Sequence, residues 1–239
     1  MSSRRNRGNR IVWLFDLDNT LHDAGAYVFG ELHVSMGAYV QRELGLEPAE
    51  ADELRRRYWL RYGATLLGLV RHHGIKPAHF LAETHRLPDL EARISGHRHD
   101  LAALRRLRGK RIVLTNAPRA YAERVLACLG LQRAFDALVA IEDMAMFGAL
   151  RPKPDARMLR RLAAQLKTTP SRCVLVEDTL AHQRSARRTG MRTVWMQRYA
   201  RRALVQPGRP ERWSRHPAYV DRRIRSLRAL LEEPPLRSR

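Results

Sequence analysis

The stretch IVWLFDLDNTLHD, residues 11–23, begins apolar and ends acidic. Ile11 to Phe15 have the makings of a buried strand. Asp16 and Asp18 follow at its end, one residue apart, with Thr20 two further on. Two like charges at the mouth of a buried strand oppose folding twice, through desolvation and through mutual repulsion. A polar strand end running into an Asx turn explains one aspartate but not both. The pair predicts that something positive is met there.

Four more short apolar runs read as strands: Arg111–Leu114, Ala137–Ile141, Cys173–Val176 and Thr193–Met196. Helical patterns separate the later ones. PRAYAERVLACLG has Pro118 in its first turn and Gly130 as a stop, PDARMLRRLAAQLK repeats apolar residues at helical spacing, and LAHQRSARRTGM leads into the last strand. Strands alternating with helices imply an α/β protein with a parallel sheet covered on both faces. The first two strands, by contrast, are separated by a long block that reads as almost all helix. Phe29, Leu32, Met36, Tyr39 and Val40 form one stripe, and Leu54, Tyr58, Tyr62, Leu66 and Leu69 or Val70 another, in a segment opened by Pro48. This predicts a helical insertion over residues 24–96 in a discontinuous core of residues 1–23 and 97–210. Residues 211–239 form a basic C-terminal tail, expected to be loosely held with one late helix near Val220–Leu231.

Composition narrows the classes. The chain has 239 residues, 44% of them apolar, enough for one good core. No apolar run approaches a membrane span, and the first ten residues contain no hydrophobic segment, so a cytoplasmic protein without a leader is expected. Cys128 and Cys173 read as reduced core residues. The net charge of +21 invites a nucleic-acid partner, but only four of the 45 basic residues are lysine and the arginines are scattered through nearly every segment. Adventitious surface charge is the favoured account.

In an open parallel sheet, ligands sit beyond the carboxyl ends of the strands. The first strand delivers Asp16, Asp18 and Thr20 there, the second (RIVLTNAP) Thr115 and Asn116, and the fourth (CVLVEDT) Glu177 and Asp178. RPKPD fixes Lys153 between two prolines ahead of a helix. Taken singly, Thr115-Asn116 and Glu177-Asp178-Thr179 pass as helix caps and Lys153 as a loop cation. Their coincidence at one end of one sheet is better explained by function. Asp16, Glu177 and Asp178 offer hard oxygen ligands suited to Mg²⁺, and the metal would offset the repulsion between the acids. Thr20, Thr115, Asn116 and Lys153 offer donors and a cation for a phosphoryl group. One aspartate then attacks phosphorus while the other moves protons.

The ordered set FDLDNTL, LTNA, RPKPD and VEDTLAHQRSARRTGM resembles the four motifs of haloacid dehalogenase superfamily phosphatases over residues 11 to 200. YWLRYGATLLGLV and the doubly proline-flanked Lys153 resemble the pyrimidine 5′-nucleotidase branch. The resemblance implies a Rossmann-like core with a helical cap, Asp16 as nucleophile, Asp18 as general acid then base, and Thr115 and Lys153 on the phosphoryl oxygens. It implies Mg²⁺ held by Asp16, the Asp18 carbonyl and Asp178, with Glu177 bound directly or through water. The expected substrate is UMP or CMP, with Tyr62 facing base or ribose, or else packing in the cap. Sugar phosphates or phosphoglycolate are the alternatives, and the chain is expected to be a monomer or homodimer. His182, where many relatives carry an acid or amide nearby, reads as a surface histidine, as do His72, His73, His97 and His99. The second aspartate argues against dehalogenation, whose halide product needs no proton, and Lys76, the cap's one lysine, does not make a phosphonate hydrolase. A receiver-like phospho-acceptor would have no place for the insertion, and an Arg-rich nucleic-acid binder would not need Asp16. Exchange of Lys153 is expected to cost rate but little stability.

Overall fold

The computed structural model describes residues 11–199 and 216–232; the basic N-terminal run and most of the Pro- and Arg-rich tail lie outside them. The chain divides into two compact units, Met1–Gly25 with Ile94–Arg239, and Ala26–Arg93. In chain order the elements are β1 (Val12–Phe15), α1 (Val28–Leu44), α2 (Pro48–Tyr62), α3 (Thr65–His73), α4 (Pro77–Thr84), α5 (Leu90–Arg93), α6 (Arg98–Arg106), β2 (Lys110–Leu114), α7 (Arg119–Cys128) and β3 (Ala137–Val139). A hairpin of β4 (Ala145–Met146) and β5 (Ala149–Leu150) follows. The chain continues through α8 (Ala156–Gln165), β6 (Cys173–Glu177), α9 (Leu180–Arg188), β7 (Arg192–Met196) and β8 (Arg222–Ile224).

The larger unit holds a six-stranded sheet of order β3-β2-β1-β6-β7-β8, parallel throughout. It is the Rossmann-type α/β fold that the strand and helix alternation predicts. VWLF of β1 is buried along its whole length because both faces are covered. On one face Val12, Leu14, Ile112, Leu114, Cys173 and Leu175 pack with Met158, Leu159 and Leu162 of α8 and Ala186 of α9. Alternation sends Trp13 and Phe15 to the other face, where Phe15 meets Phe135 edge-on with ring centroids 5.8 Å apart.

The C-terminal end differs from expectation. The late helix is instead the edge strand β8 followed by a 3₁₀ helix, Leu227–Leu231, and this stretch is firmly attached, with Val220, Ile224, Leu227 and Leu230 buried. Arg222-Arg223-Ile224 has no apolar run to signal a strand; bonds to Asp221 beside it and to the distant Asp100 fix it. Asp221 accepts from Thr193 N–H at 2.9 Å and from Arg187 at 2.8 Å. Asp100, buried in the first turn of α6, accepts from the Ser226 hydroxyl and from Leu227 N–H at 2.9 Å, with Arg198 Nε 3.0 Å from its other oxygen. Asp100→Ala should therefore destabilise the protein by about 2–4 kcal/mol, since it orphans buried donors. A thermal melt reads this as a loss of roughly 5–12 °C; a melt within 1–2 °C of the parent would show the latch to be dispensable.

The second unit is helical. The break in its middle was not apparent from periodicity: Gly63, at φ 81°, ends α2 in a left-handed turn, so the apolar stripe continues on a separate helix. Gly68 of α3 lies so near Tyr58 that an added Cβ would fall 2.2 Å from its ring. Tyr39, Val40, Leu54, Tyr58, Leu66 and Leu69 are buried as predicted, whereas Phe29 is exposed. Cys128 is likewise exposed, against expectation, while Cys173 is buried.

Candidate active site

Three parallel strands end side by side, and each continues into a polar residue. Asp16 N–H donates to Val176 O at 3.0 Å and Thr115 N–H to Val139 O at 3.0 Å, so the ladders run one residue past β1 and β2 before the chain turns away. After Asp16 the backbone folds tightly: Thr20 and Leu21 N–H both donate to Leu17 O. Asn19 takes a left-handed φ of 57°, which Asn tolerates better than most residues, and its side chain accepts from Gly25 N–H at 3.1 Å. This turn brings Asp16, Asp18 and Thr20 to one place.

Lys153 answers the opening puzzle in part. Lys153 as a whole is 2% exposed, and its ammonium lies 2.6 Å from Asp16 Oδ1 and 2.8 Å from Glu177 Oε2. Burial alone would lower the pKa of this ammonium; Asp16 and Glu177 outweigh it and hold it above its ordinary range. Burial and the Glu177 carboxylate push Asp16 up, to about 7, against the pull of Lys153. Burial also opposes ionisation of Glu177, but Lys153 and His182 together hold it well below the usual carboxylate range. Asp178 is raised, by burial first and then by Glu177. One oxygen from each of Asp16, Glu177 and Asp178 falls within 4.8 Å of the others. Three carboxyl groups against one ammonium make an all-oxygen cluster whose members resist ionising together, which fits a hard divalent cation that would offset their repulsion.

The other sequence-predicted residues fall as follows. Thr20 Oγ1 donates to Asp16 Oδ2 at 3.3 Å. Thr115 Oγ1 accepts from Ala117 N–H at 3.0 Å. Asn116 grips the Lys153 backbone with both ends of its amide, donating to Lys153 O and accepting from Lys153 N–H, each at 2.9 Å. It holds Lys153 in place, a part that sequence reading did not foresee. Tyr62 stands at the end of α2 in the helical unit with its hydroxyl on His72 Nε2, while His73 bonds Tyr58 at 2.7 Å. His97 and His99 are exposed.

His182 is not the surface histidine expected. Its side chain is 18% exposed and Nδ1 stands 3.0 Å from Glu177 Oε2, though off line for a hydrogen bond. Gln183, fully buried, donates to Glu177 O and Val194 O and so ties the end of β6 to the middle of β7. Sequence reading also passed over His22 and Tyr121, both buried, which converge on Asp18. For His22 the signal was its position four residues past Asp18. Tyr121 gave none, because a tyrosine on an amphipathic helix reads as core.

Comparison with known proteins agrees with this geometry. Residues 12–190 match the family model described as haloacid dehalogenase-like hydrolase. A curated relative, validoxylamine A 7′-phosphate phosphatase of Streptomyces hygroscopicus subsp. limoneus, is 32% identical over 107 residues, 44% of this chain and 48% of its own length. The match thus spans about half of that relative. Among solved structures, a HAD phosphatase from Thermococcus onnurineus superposes with a TM-score of 0.58 at 20% identity, covering 93% of this chain and 96% of its own. CbbY from Rhodobacter sphaeroides, in complex with phosphate, gives 0.58 at 22%, covering 92% and 96%. At such identities the likeness speaks for the fold, and no helix among the described residues is long and apolar enough to cross a membrane. The family match covers most of the chain, its strand ends and their acids included, and on that ground the chain belongs to the haloacid dehalogenase-like hydrolases.

Proposed function

We propose that this chain is a Mg²⁺-dependent phosphomonoester hydrolase that works through an aspartyl-phosphate on Asp16, with pyrimidine nucleoside 5′-monophosphates as preferred substrates. One observation carries the reading: Lys153 Nζ sits 2.6 Å from Asp16 Oδ1, beside a cluster of three carboxylates. In the first step an Asp16 oxygen bonds to phosphorus, the bond from phosphorus to the leaving oxygen breaks, and Asp18 gives that oxygen a proton. In the second, a water oxygen bonds to phosphorus, the Asp16–phosphorus bond breaks, and Asp18 takes a proton from the water. Lys153 and Thr115 hold the phosphoryl oxygens as charge builds. Asp16, Asp178 and the Asp18 carbonyl would hold the cation. Glu177, which accepts from Lys153 on Oε2 and from Thr179 N–H on Oε1, serves mainly as the anchor for Lys153. When bound, Mg²⁺ supplies positive charge that lets Asp16 remain ionised beside its neighbours and draws the phosphoryl group in.

Fold alone does not choose between phosphatase and dehalogenase. The second aspartate, Asp18, favours the reaction whose leaving group needs a proton. The nucleotide preference rests on the likeness of YWLRYGATLLGLV to the nucleotidase branch. The streptomycete relative, by its name a phosphatase of validoxylamine A 7′-phosphate, supports a second reading in which the substrate is a small phosphate other than a nucleotide. A phosphate-release screen with Mg²⁺ over nucleoside monophosphates, sugar phosphates, phosphoglycolate and p-nitrophenyl phosphate separates them. We expect UMP and CMP to give the highest kcat/KM. A sugar phosphate or phosphoglycolate hydrolysed tenfold faster would replace the nucleotide reading, and no release from any of them would remove the phosphatase reading.

A further inference from the structure

We propose that Tyr121 and His22 are positioning residues for Asp18, fixing which of its oxygens handles the proton; the inference rests on the phosphatase reading above. Tyr121 Oη, from the first turns of α7, donates to Asp18 Oδ1 at 2.6 Å. His22 Nε2 lies 2.9 Å from the same oxygen, and the two donors stand 3.4 Å apart. Tyr121 is 2% exposed and His22 is fully buried, whereas the Asp18 side chain keeps 19% of its surface open. Both partners are thus more deeply buried than the carboxyl group they hold.

An ionised carboxylate oxygen accepts two hydrogen bonds in its plane. With two partners on Oδ1, the carboxyl is held in one orientation, and the proton in transit belongs on Oδ2. Orientation of this kind matters because a displacement of about 1 Å at a reacting group can cost on the order of 10²-fold in rate. The two donors come from segments about a hundred residues apart, one in the turn after β1 and one on a helix after β2. Burial leaves Tyr121 and His22 few other arrangements, so both contacts to Asp18 are made from the packed core.

A positioning role and a merely structural one separate by leaving group. An alkyl phosphate needs a proton from Asp18 as its bond to phosphorus breaks; p-nitrophenolate departs without one. The measurement is kcat/KM, which reports the steps up to departure of the leaving group, on UMP (or the best alkyl phosphate found) and on p-nitrophenyl phosphate, with a thermal melt beside it. Asp18→Asn sets the scale and should lose about 10²–10⁴-fold on the alkyl ester and far less on the aryl one. Tyr121→Phe, which removes only the hydroxyl, should show the same selectivity, with a loss of about tenfold or more on the alkyl ester. His22→Leu should do likewise, and His22→Gln, which returns an N–H at similar reach, should recover much of that loss. Should Tyr121→Phe fail to fold, the His22 pair decides. Equal losses on both esters, or none, while Asp18→Asn stays selective, would overturn the positioning role alone. A non-selective Asp18→Asn would take down the acid–base reading of Asp18 and this inference with it.

Discussion

Asp16→Asn should fall to about 10⁻⁴ of the parent rate or lower on any phosphate ester, because an amide cannot attack phosphorus and a nucleophile acts as one unit with the groups around it. The variant should nonetheless fold, and in the absence of divalent metal it should melt higher than the parent at neutral and alkaline pH. The sign follows from burial. The Asp16 carboxyl is held at about 7 in the fold, against an ordinary value of 3.8. An acid raised in this way favours the folded state only when neutral, so its penalty is absent below about pH 4 and complete above about pH 7. Asparagine has no such penalty, and Lys153 keeps Glu177 as a partner at 2.8 Å. The melts of variant and parent in EDTA should converge towards pH 4, and the rise in Tm that Mg²⁺ gives the parent should shrink in the variant. A variant with a tenth of the parent activity would remove Asp16 from the nucleophile's role.

Lys153 carries the second large effect, and here the structure alters the expectation. From sequence, exchanging this residue was to cost rate and little stability. A loop cation would behave so, but Lys153 is buried and joined to two buried carboxylates. Removing one partner of such a group is worth about 3–5 kcal/mol. Lys153→Met should therefore lose on the order of 10 °C in Tm, at about 2–4 °C per kcal/mol for a domain of this size. It should also lose about 10²–10³-fold in kcat, the usual scale for a donor facing developing charge. Lys153→Arg keeps the charge but replaces a compact ammonium with a wide planar fork. Asn116 clamps the Lys153 backbone at both N–H and C=O, so the main chain cannot retreat to admit it. We expect at least tenfold lower kcat/KM, which steady-state kinetics beside a melt will read. An arginine variant as fast as the parent would end the phosphate-clamp role.

The sheet was legible because its central strands are buried on both faces and so appear as unbroken apolar runs, and because a parallel sheet gathers whatever follows those runs at one end. Asp16, Thr115 and Glu177 could be placed together on that logic alone. What escaped notice depends on contacts between distant side chains. β8 has two arginines in three residues and is held by Asp221 and the neighbouring Asp100 latch, so nothing local marks it as a strand. β4 and β5 are two residues each, too short to show alternation. Asn116 read as a donor for a phosphoryl group, or singly as a helix cap; its partner, the Lys153 backbone, lies 37 residues on. His182 sits on a helix rich in charge, and only the bend of the chain after β6 reveals that its ring turns towards Glu177.

The place of β1 in the sheet also bears on the order in which the molecule assembles. Made first, it ends in the middle: Val12 pairs with Lys110 on one side and Cys173 on the other. The helices of Ala26–Arg93 find their neighbours within their own segment, so that unit completes its contacts while the rest is still being synthesised. VWLF, wholly apolar, must wait in the meantime for strands that emerge from the ribosome much later, and β8 closes the sheet's edge last of all. Nascent chains of this protein thus pass through a stage in which this greasy strand has no sheet partner, the kind of segment that holdase chaperones shield.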